Sequence, residues 1–206
     1  MLQNRVDPFG HIIRTPARGA WLGNRGLIHN DKQEITRPYR LIPWITCVLS
    51  FKDRRRKIMS PGLYTELFFL DEATAFSAGH RPCKECRRAD HERFKTAWIK
   101  GNPSYSFDEK TRIGEIDAVI HAERIKSDKT KRTYEDNIDV LPDGTFVEME
   151  RQPYLVKGDK IYPWSPEGYG TPIARPQKTT LTVLTPRSIV HTFNAGYIPQ
   201  MINAHR

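Results

Sequence analysis

The sequence predicts an α+β fold, and three observations support this prediction. Short β-like runs separated by turn residues fill the first part of the chain and end in the run TELFFL at residues 65–70. Two segments with apolar residues at helical spacing follow, at residues 86–100 and 109–126. From Val140 onward, short runs between turn residues again indicate strands and hairpins.

The chain is expected to contain two regions that meet at the polar, basic break at residues 127–132. Residues 1–130 form a basic region that holds all three cysteines, and residues 131–206 form a small β-rich region. We expect the second region to end in a strand–helix unit. Its last part repeats the order of strand, helix N-cap, helix and glycine that also occurs around Gly79.

The charge balance favours an anionic partner. The chain has 33 lysines and arginines against 24 aspartates and glutamates, which gives a formal net charge of +9. A charge of this sign favours nucleic acid first and an anionic membrane surface second. We expect a cytoplasmic protein without a membrane partner, because the sequence shows neither an apolar leader nor a run of membrane-spanning length. Three cysteines, an odd number, do not suggest a disulfide framework.

The stretch from Asp71 to Cys86, DEATAFSAGHRPCKEC, organises the first region. Asp71 is a suitable N-cap for a short helix, because its side-chain oxygen can accept hydrogen bonds from the first free helical N–H groups. Gly79 can supply the left-handed residue that closes this helix, and Pro82 prevents the helix from resuming. Cys83 and Cys86 then form a CxxC pair at the start of the next helix.

This CxxC pair suits a metal site. The helix dipole and nearby cations at a helix start lower the pKa of a thiol, and thiolates are good zinc ligands. Three interpretations are open: half of a zinc site, a redox pair, or structurally inert thiols. Zinc is favoured because the pair follows a helix C-cap and encloses Lys84 and Glu85, whereas a redox pair expects a thioredoxin-like βαβ setting.

The same stretch resembles the zinc-binding domain of Ada, a bacterial DNA methylphosphotriester methyltransferase. That domain has a helix, then a box of glycine, an aromatic residue and Arg-Pro-Cys-x-x-Cys, then basic residues. The resemblance covers residues 44–90 and is specific over residues 76–87. The whole chain is also similar to uncharacterised bacterial proteins that carry this box. The matching positions are Gly79, Arg81, Pro82, Cys83 and Cys86, and His80 takes the aromatic place.

The resemblance implies a zinc-binding strand–helix–knuckle module and DNA as the partner. In the family, the first ligand pair is C-x3-C on a strand upstream of the helix, and Cys47 lies in the matching place. Phe51 occupies the position of the second cysteine, so one family ligand is missing. By resemblance, we expect Cys47, Cys83 and Cys86 to bind one zinc ion.

A structural zinc site needs a fourth protein ligand, and His29 is the candidate. It lies near a predicted hairpin turn just ahead of the strand of Cys47, where a loop could fold back onto the cysteines. Asp31 could accept a hydrogen bond from the ring and fix its tautomer. A surface position for His29 is the alternative. His80 is expected to pack beside the Gly79 turn instead.

Two basic runs near the cysteines predict a nucleic-acid interface. Lysine and arginine side chains contribute most of the sequence-independent affinity for a phosphate backbone. The first run, at residues 52–57, is alternatively a solvated hairpin tip. The residues predicted to bind nucleic acid are Arg54, Arg55, Arg56, Arg81, Arg87 and Arg88.

Three functions remain open from the sequence, so whether the protein is an enzyme stays undecided at this stage. The favoured one is a zinc-containing module that binds nucleic acid, with DNA preferred, without chemistry. The second is an Ada-like alkyl acceptor with Cys47 as the nucleophile, although the missing cysteine at Phe51 argues against efficient methyl acceptance. The third is a nuclease-type enzyme with a structural zinc site and acidic groups such as Asp117, although a charged solvent face is the simpler interpretation of those groups.

Overall fold

A computed structural model describes residues 1–52 and 57–202 of the chain. In these residues the protein forms two β-sheets and four α-helices, which confirms the predicted α+β class. No helix in the described ranges combines the length and the apolar character that crossing a membrane requires.

The first sheet is built from residues that precede the CxxC pair. Its strands are β1 (Gln3–Val6), β2 (Ile12–Arg14), β3 (Trp21–Asn24), β4 (Ile45–Cys47), β5 (Leu67–Phe69) and β6 (Arg81–Pro82). The spatial order is β2-β1-β5-β3-β4-β6. Strand β3 is antiparallel to both β4 and β5, whereas β4 runs parallel to β6. The Cys47 strand therefore lies beside the segment that leads into the CxxC pair.

The helix that the central stretch predicts is present as α1 (Glu72–Ser77). Asp71 caps its N-terminus, because the carboxylate accepts a hydrogen bond from the backbone N–H of Thr74 at 2.8 Å. Gly79 follows the helix with a φ of +86°, a left-handed conformation that glycine adopts without strain. Both ends of this helix therefore follow the capping signals in the sequence.

Helix α1 connects three parts of the hydrophobic core. Ala75 packs with the first sheet, Ala73 packs with the second sheet, and Phe76 packs with the other helices. Every residue of the helix is buried. The other helices are α2 (Arg88–Gly101), α3 (Ile113–Arg124) and α4 (Arg187–Asn194), with short 3-10 turns at Pro103–Tyr105 and Ile138–Val140.

The second sheet has the spatial order β11-β10-β9-β8-β13-β7, and β12 pairs with β10 at its edge. Its strands are β7 (Tyr134–Asn137), β8 (Phe146–Met149), β9 (Gln152–Lys157), β10 (Lys160–Ser165), β11 (Gly168–Tyr169), β12 (Ile173–Ala174) and β13 (Thr180–Val183). Strands β8 and β9 form a hairpin, which agrees with the strands and hairpins expected from Val140 onward.

The first sheet uses residues up to Pro82 and the second uses residues from Tyr134 onward, and helices α2 and α3 lie between them in the chain. The hydrophobic core does not follow this division. Ile189 and Phe193 of α4 pack in one cluster with Phe94 and Trp98 of α2. The C-terminal strand–helix unit, β13 followed by α4, is therefore part of a core that both regions share.

Candidate metal centre and its surroundings

Strands β4 and β6 position the three cysteines. Cys47 is the last residue of β4, and β6 leads directly into Cys83. The backbone N–H of Cys83 donates a hydrogen bond to the carbonyl of Thr46 at 2.9 Å, which places the two segments side by side. The backbone N–H of Arg87 donates to the carbonyl of Cys83 at 3.1 Å and closes the turn that contains Cys86.

The structure brings the three sulfur atoms together. The Sγ atoms of Cys47, Cys83 and Cys86 all lie within 4.8 Å of one another. Sulfurs that share a tetrahedral zinc ion lie roughly 3.8 Å apart, because each is about 2.3 Å from the ion. The cluster can therefore hold a metal ion. In the described part of the chain, no fourth cysteine, histidine or carboxylate joins it.

The ionisation of the three thiols is coupled. The hydrogen bond between Cys47 and Cys83 lowers the pKa of Cys83 to about 5 and, together with burial, raises the pKa of Cys47. Burial raises the pKa of Cys86, and the charge on Cys83 raises it further. Three thiolates this close repel one another, so a bound cation would be needed for all three to ionise near neutral pH.

The cysteines form part of the wall of an open cavity of about 460 Å³. Leu22 lies opposite both Cys47 and Phe68 in the sheet register, so these side chains share one face of the sheet. The cavity follows this face, and Asn24 and Glu66 add polar groups to its lining. Its volume lies within the range of about 300–1,000 Å³ that is usual for small-ligand sites.

Phe51 also lines this cavity. This residue stands where the Ada pattern has its second cysteine, and an aromatic side chain cannot replace a thiolate ligand. The position at which the sequence differs from the Ada pattern therefore lies at the cavity itself.

His29 lies apart from the cysteine cluster, so its expected role as the fourth ligand is corrected. Its Nδ1 atom is 2.6 Å from Oγ1 of Thr65, and its Nε2 atom is 3.3 Å from the carbonyl oxygen of Ser60. Both ring nitrogens are therefore engaged, and neither contact involves Asp31. The side chain is also buried, which excludes the surface alternative. His29 forms a β-bridge with Ile35 in its own hairpin. Its ring contacts with Thr65 and Ser60 join this hairpin to the segment before β5.

His80 packs beside the Gly79 turn, as the sequence predicts. The ring is fully buried, and its centroid lies 4.6 Å from that of Phe69 and 5.2 Å from that of Trp44. Burial lowers the pKa of His80 well below its usual value. The ring is therefore neutral, and its Nε2 atom accepts a hydrogen bond from Nε of Arg25 at 3.2 Å.

Arg81 is buried, so its predicted role in binding nucleic acid is wrong. Its guanidinium donates two hydrogen bonds to Asp117, at 2.7 and 2.6 Å. Asp117 is only 1% exposed, which also corrects the expectation that it lies on a charged solvent face. Each charge is neutralised by the other and is not available to a phosphate or a substrate.

Arg87 is likewise structural, which corrects its predicted contact with nucleic acid. Its guanidinium pairs with Glu72 and, at 2.7 Å, with Asp90. It also stacks 4.0 Å from the centroid of the Trp21 ring and donates to Oγ1 of Thr46 at 3.0 Å. These contacts fix the start of α2 against β4 and so support the position of the cysteines.

Arg88 remains exposed next to Cys86, whereas Arg54, Arg55 and Arg56 lie outside the described residues. Sequence reasoning missed a neighbouring basic groove of about 310 Å³ between α2 and the segment before α3. Its two sides are far apart in the chain, so no local pattern indicates it. The basic side chains that line it are Lys84, Lys95, Lys110 and Arg112.

Comparison with known proteins assigns no family to this chain. No family model matches it, and no match is found among the curated proteins or the solved structures. The fold and the site define the class: an α+β protein with a three-cysteine cluster that can hold a metal ion.

Proposed function

We propose that this protein is a zinc protein that acts on nucleic acid, with Cys47, Cys83 and Cys86 as the protein ligands. The observation that carries the proposal is the convergence of the three sulfurs at the wall of a ligand-sized cavity. Zinc suits this donor set because thiolates are soft ligands, whereas magnesium and calcium prefer oxygen.

The number of protein ligands indicates that a bound zinc ion would contact a molecule in the cavity. A purely structural site is the less favoured alternative. Structural zinc sites use four protein ligands, whereas sites with three leave one position for water or a substrate group. The described residues supply three ligands, and Phe51 stands at the family's remaining position. In such a site zinc supplies Lewis-acid polarisation of a bound oxygen.

Glu66 is the candidate for proton transfer in this site. It is buried, lines the same cavity as the cysteines, and its Oε2 accepts a hydrogen bond from the backbone N–H of Met59 at 2.8 Å. This hydrogen bond orients the carboxylate, and a carboxylate in a cavity can take a proton from a substrate or a water molecule.

The choice of nucleic acid as the partner rests on the exposed cations beside the cysteines. Lys84 lies inside the CxxC pair and Arg88 follows it, and both side chains are exposed. The basic groove continues this positive surface towards Lys110 and Arg112. Such a surface suits phosphate contacts. The interface proposed here therefore uses these exposed cations and no longer includes Arg81, which is buried.

Alkyl transfer to Cys47 is a second candidate function. Cys47 is half-buried and lines the cavity, so its sulfur is available to a bound molecule. A bound metal ion would favour the thiolate form of Cys47 despite its raised pKa. This thiolate would attack the methyl carbon of a methylphosphotriester, and the breaking C–O bond would leave a phosphodiester anion. Incubation with methylphosphotriester DNA should then raise the mass of the peptide that contains Cys47 by one CH2 unit, because a methyl group replaces the thiol proton. An unchanged peptide mass excludes this reaction.

Metal analysis tests the first part of the proposal. Protein purified without added zinc should contain about one zinc ion per chain, because each chain has one three-thiolate site. Cys83→Ser and Cys86→Ser should lose the ion. Metal-free wild-type protein that also fails to bind added zinc would overturn the metal site.

A salt-dependent titration with DNA tests the second part. Charge reversal of Lys84 and Arg88 should weaken binding and reduce the salt slope by roughly 0.9 for each phosphate that the variant no longer neutralises. The matched control reverses Lys160 and Lys178, which are exposed in the β-rich region and do not line the groove. Equal weakening by both pairs would remove the groove from the interface.

A further inference from the structure

A second cavity, of about 450 Å³, lies between the turn that joins β1 to β2 and the turn that follows α3. Trp44, directly before β4, contributes its ring to the lining. Side chains alternate between the two faces of a strand, so Trp44 and Cys47 belong to opposite faces. The second cavity is therefore separate from the proposed metal centre and does not depend on it.

The lining of this cavity is strongly cationic. Arg25 and Arg124 are 1% and 2% exposed, and their guanidinium carbons lie 4.0 and 3.7 Å from the centroid of the Trp44 ring. Lys131 is half-buried in the same wall, and Lys129 is at the exposed edge. Among the described residues that line the cavity, none is an aspartate or a glutamate.

The two buried arginines have no anionic hydrogen-bond partner in the described residues. Arg25 donates to the carbonyl oxygen of Gly10 at 3.0 Å and to the neutral ring of His80, while its Nη2 atom has no partner. Arg124 donates to the carbonyl oxygens of Gly79, at 2.6 Å, and Ile42, and its Nη2 atom lies 2.9 Å from Nδ1 of His121. These partners are uncharged or carbonyl groups, and the Nε atom of Arg124 has no hydrogen-bond partner. A buried charge without a counter-ion is costly, so the missing partner at this cavity is an anion.

The lowered pKa values of Arg25 and Lys131 agree with a missing counter-ion. Burial lowers the pKa of Arg25 to about 9 and that of Lys131 to about 7, and Asp7 only partly opposes the effect. The positive charges of Arg25 and Arg124 lower the pKa of Lys131 further. An anion bound among these groups would favour their charged forms and raise both pKa values.

We propose that this cavity binds the phosphate group of a small organic phosphate monoester. Such a phosphate carries nearly two negative charges at neutral pH and forms strong, directional hydrogen bonds with guanidinium groups. Arg25, Arg124 and Lys131 together match that charge better than they match a single carboxylate. Phe9, Ile12 and Ile35 give the rest of the lining an apolar character, which suits the organic part of the ligand.

Calorimetric titration in phosphate-free buffer at pH 7 tests the proposal, with inorganic phosphate, a 5′-mononucleotide and the matching nucleoside as probes. Inorganic phosphate should bind, the mononucleotide should bind more tightly, and the nucleoside should not bind detectably. Binding of the mononucleotide and nucleoside with equal affinity would overturn the proposal. Absence of binding by both phosphate-bearing probes at millimolar concentration would also overturn it.

Substitutions in the turn after α3 locate the site. Lys131→Met should weaken mononucleotide binding by about tenfold, because the variant cannot donate a hydrogen bond to the charged phosphate. Lys129→Ala, at an exposed position that cannot disturb the core, should weaken it less. Lys126→Ala is the matched control, since Lys126 is exposed in the same turn and does not line the cavity. Equal affinities in wild type and Lys131→Met, with both proteins folded by circular dichroism, would place the ligand elsewhere.

Discussion

Arg81 and Asp117 form a buried ion pair with two parallel hydrogen bonds, and this pair joins β6 to α3. The side chains are 6% and 2% exposed. The planar guanidinium matches the carboxylate in geometry as well as in charge, which a lysine could not do. Arg81, two residues before Cys83, thus anchors the cysteine cluster to the helical layer.

Breaking this pair should destabilise the protein strongly. Asp117→Ala leaves the charge of Arg81 buried without a partner, and we expect a loss of about 3–5 kcal/mol in the free energy of unfolding. The double variant Arg81→Met with Asp117→Leu removes both charges, so its cost should be smaller than that of Asp117→Ala. Chemical denaturation measures both values. A cost below about 1 kcal/mol for Asp117→Ala would contradict a buried pair.

His29 should be dispensable for metal binding. His29→Ala removes the contacts with Thr65 and Ser60, and the loss in unfolding free energy should be about 1–3 kcal/mol. The zinc content should stay equal to that of wild type, because the ring does not reach the cysteine cluster. Cys86→Ser provides the comparison, since it removes a ligand. Loss of zinc from His29→Ala would contradict this prediction and would show that the histidine contributes to metal binding.

Gly79 and Gly196 provide a matched pair of substitutions. Both follow a helix and have positive φ, at +86° and +110°. A Cβ atom at Gly79 would lie 2.3 Å from Cδ of Arg124, whereas one at Gly196 would meet nothing within 4 Å. Gly196→Ala should therefore cost only the backbone strain, roughly 1–2 kcal/mol.

Gly79→Ala should cost more than Gly196→Ala, because Arg124 must also move. Thermal unfolding of both variants measures the difference. If the two costs were equal, the close contact between Gly79 and Arg124 would have no energetic consequence.

The pH dependence of stability should contain a contribution from Lys131. Its pKa is lowered to about 7 by burial, whereas a lysine in the unfolded chain titrates near about 10.4. Between these values the unfolded state binds more protons, so the free energy of unfolding rises with pH. The rise should be smaller in Lys131→Met and unchanged in Lys126→Met.

This measurement needs a buffer without phosphate, since a bound anion would raise the pKa of Lys131. The pH range over which the free energy of unfolding rises would then be narrower. Asp7, Arg25 and Arg124 are the charged groups that act on Lys131, and they are the same in all three proteins. If the free energy of unfolding rose with pH equally steeply in wild type and Lys131→Met, Lys131 would have an ordinary pKa.

Local signals in the sequence predicted the parts of the structure that depend on neighbouring residues. Asp71 and Gly79 fix the ends of α1 through contacts within a few positions, so capping preferences were sufficient. The prediction that His80 packs beside the Gly79 turn came from the resemblance of this stretch to the Ada box, and the buried ring agrees with it. The spacing of Cys83 and Cys86 likewise identified a candidate metal site.

The errors concern residues whose partners are distant in the chain. Arg81 and Arg88 belong to one basic run, yet the first is buried against Asp117 and the second is exposed. Arg81 and Asp117 are 36 residues apart in the chain, and no local pattern indicates such a pair. The same limit applies to His29, whose partner Thr65 is also 36 residues away. The cationic cavity combines residues from segments that are distant in the chain, and it was not predicted at all.

The alternation along β4 has an evolutionary consequence. Trp44 and Thr46 point into the core, whereas Ile45 and Cys47 are half-buried on the other face. Adding or deleting one residue here would turn the thiol inward and the indole outward, and both cavities would lose a wall in the same event. Homologous chains should therefore differ at these positions by replacement and never by a change in length. The ligand that each cavity binds could then differ between homologous chains, while the spacing from Trp44 to Cys47 stays constant.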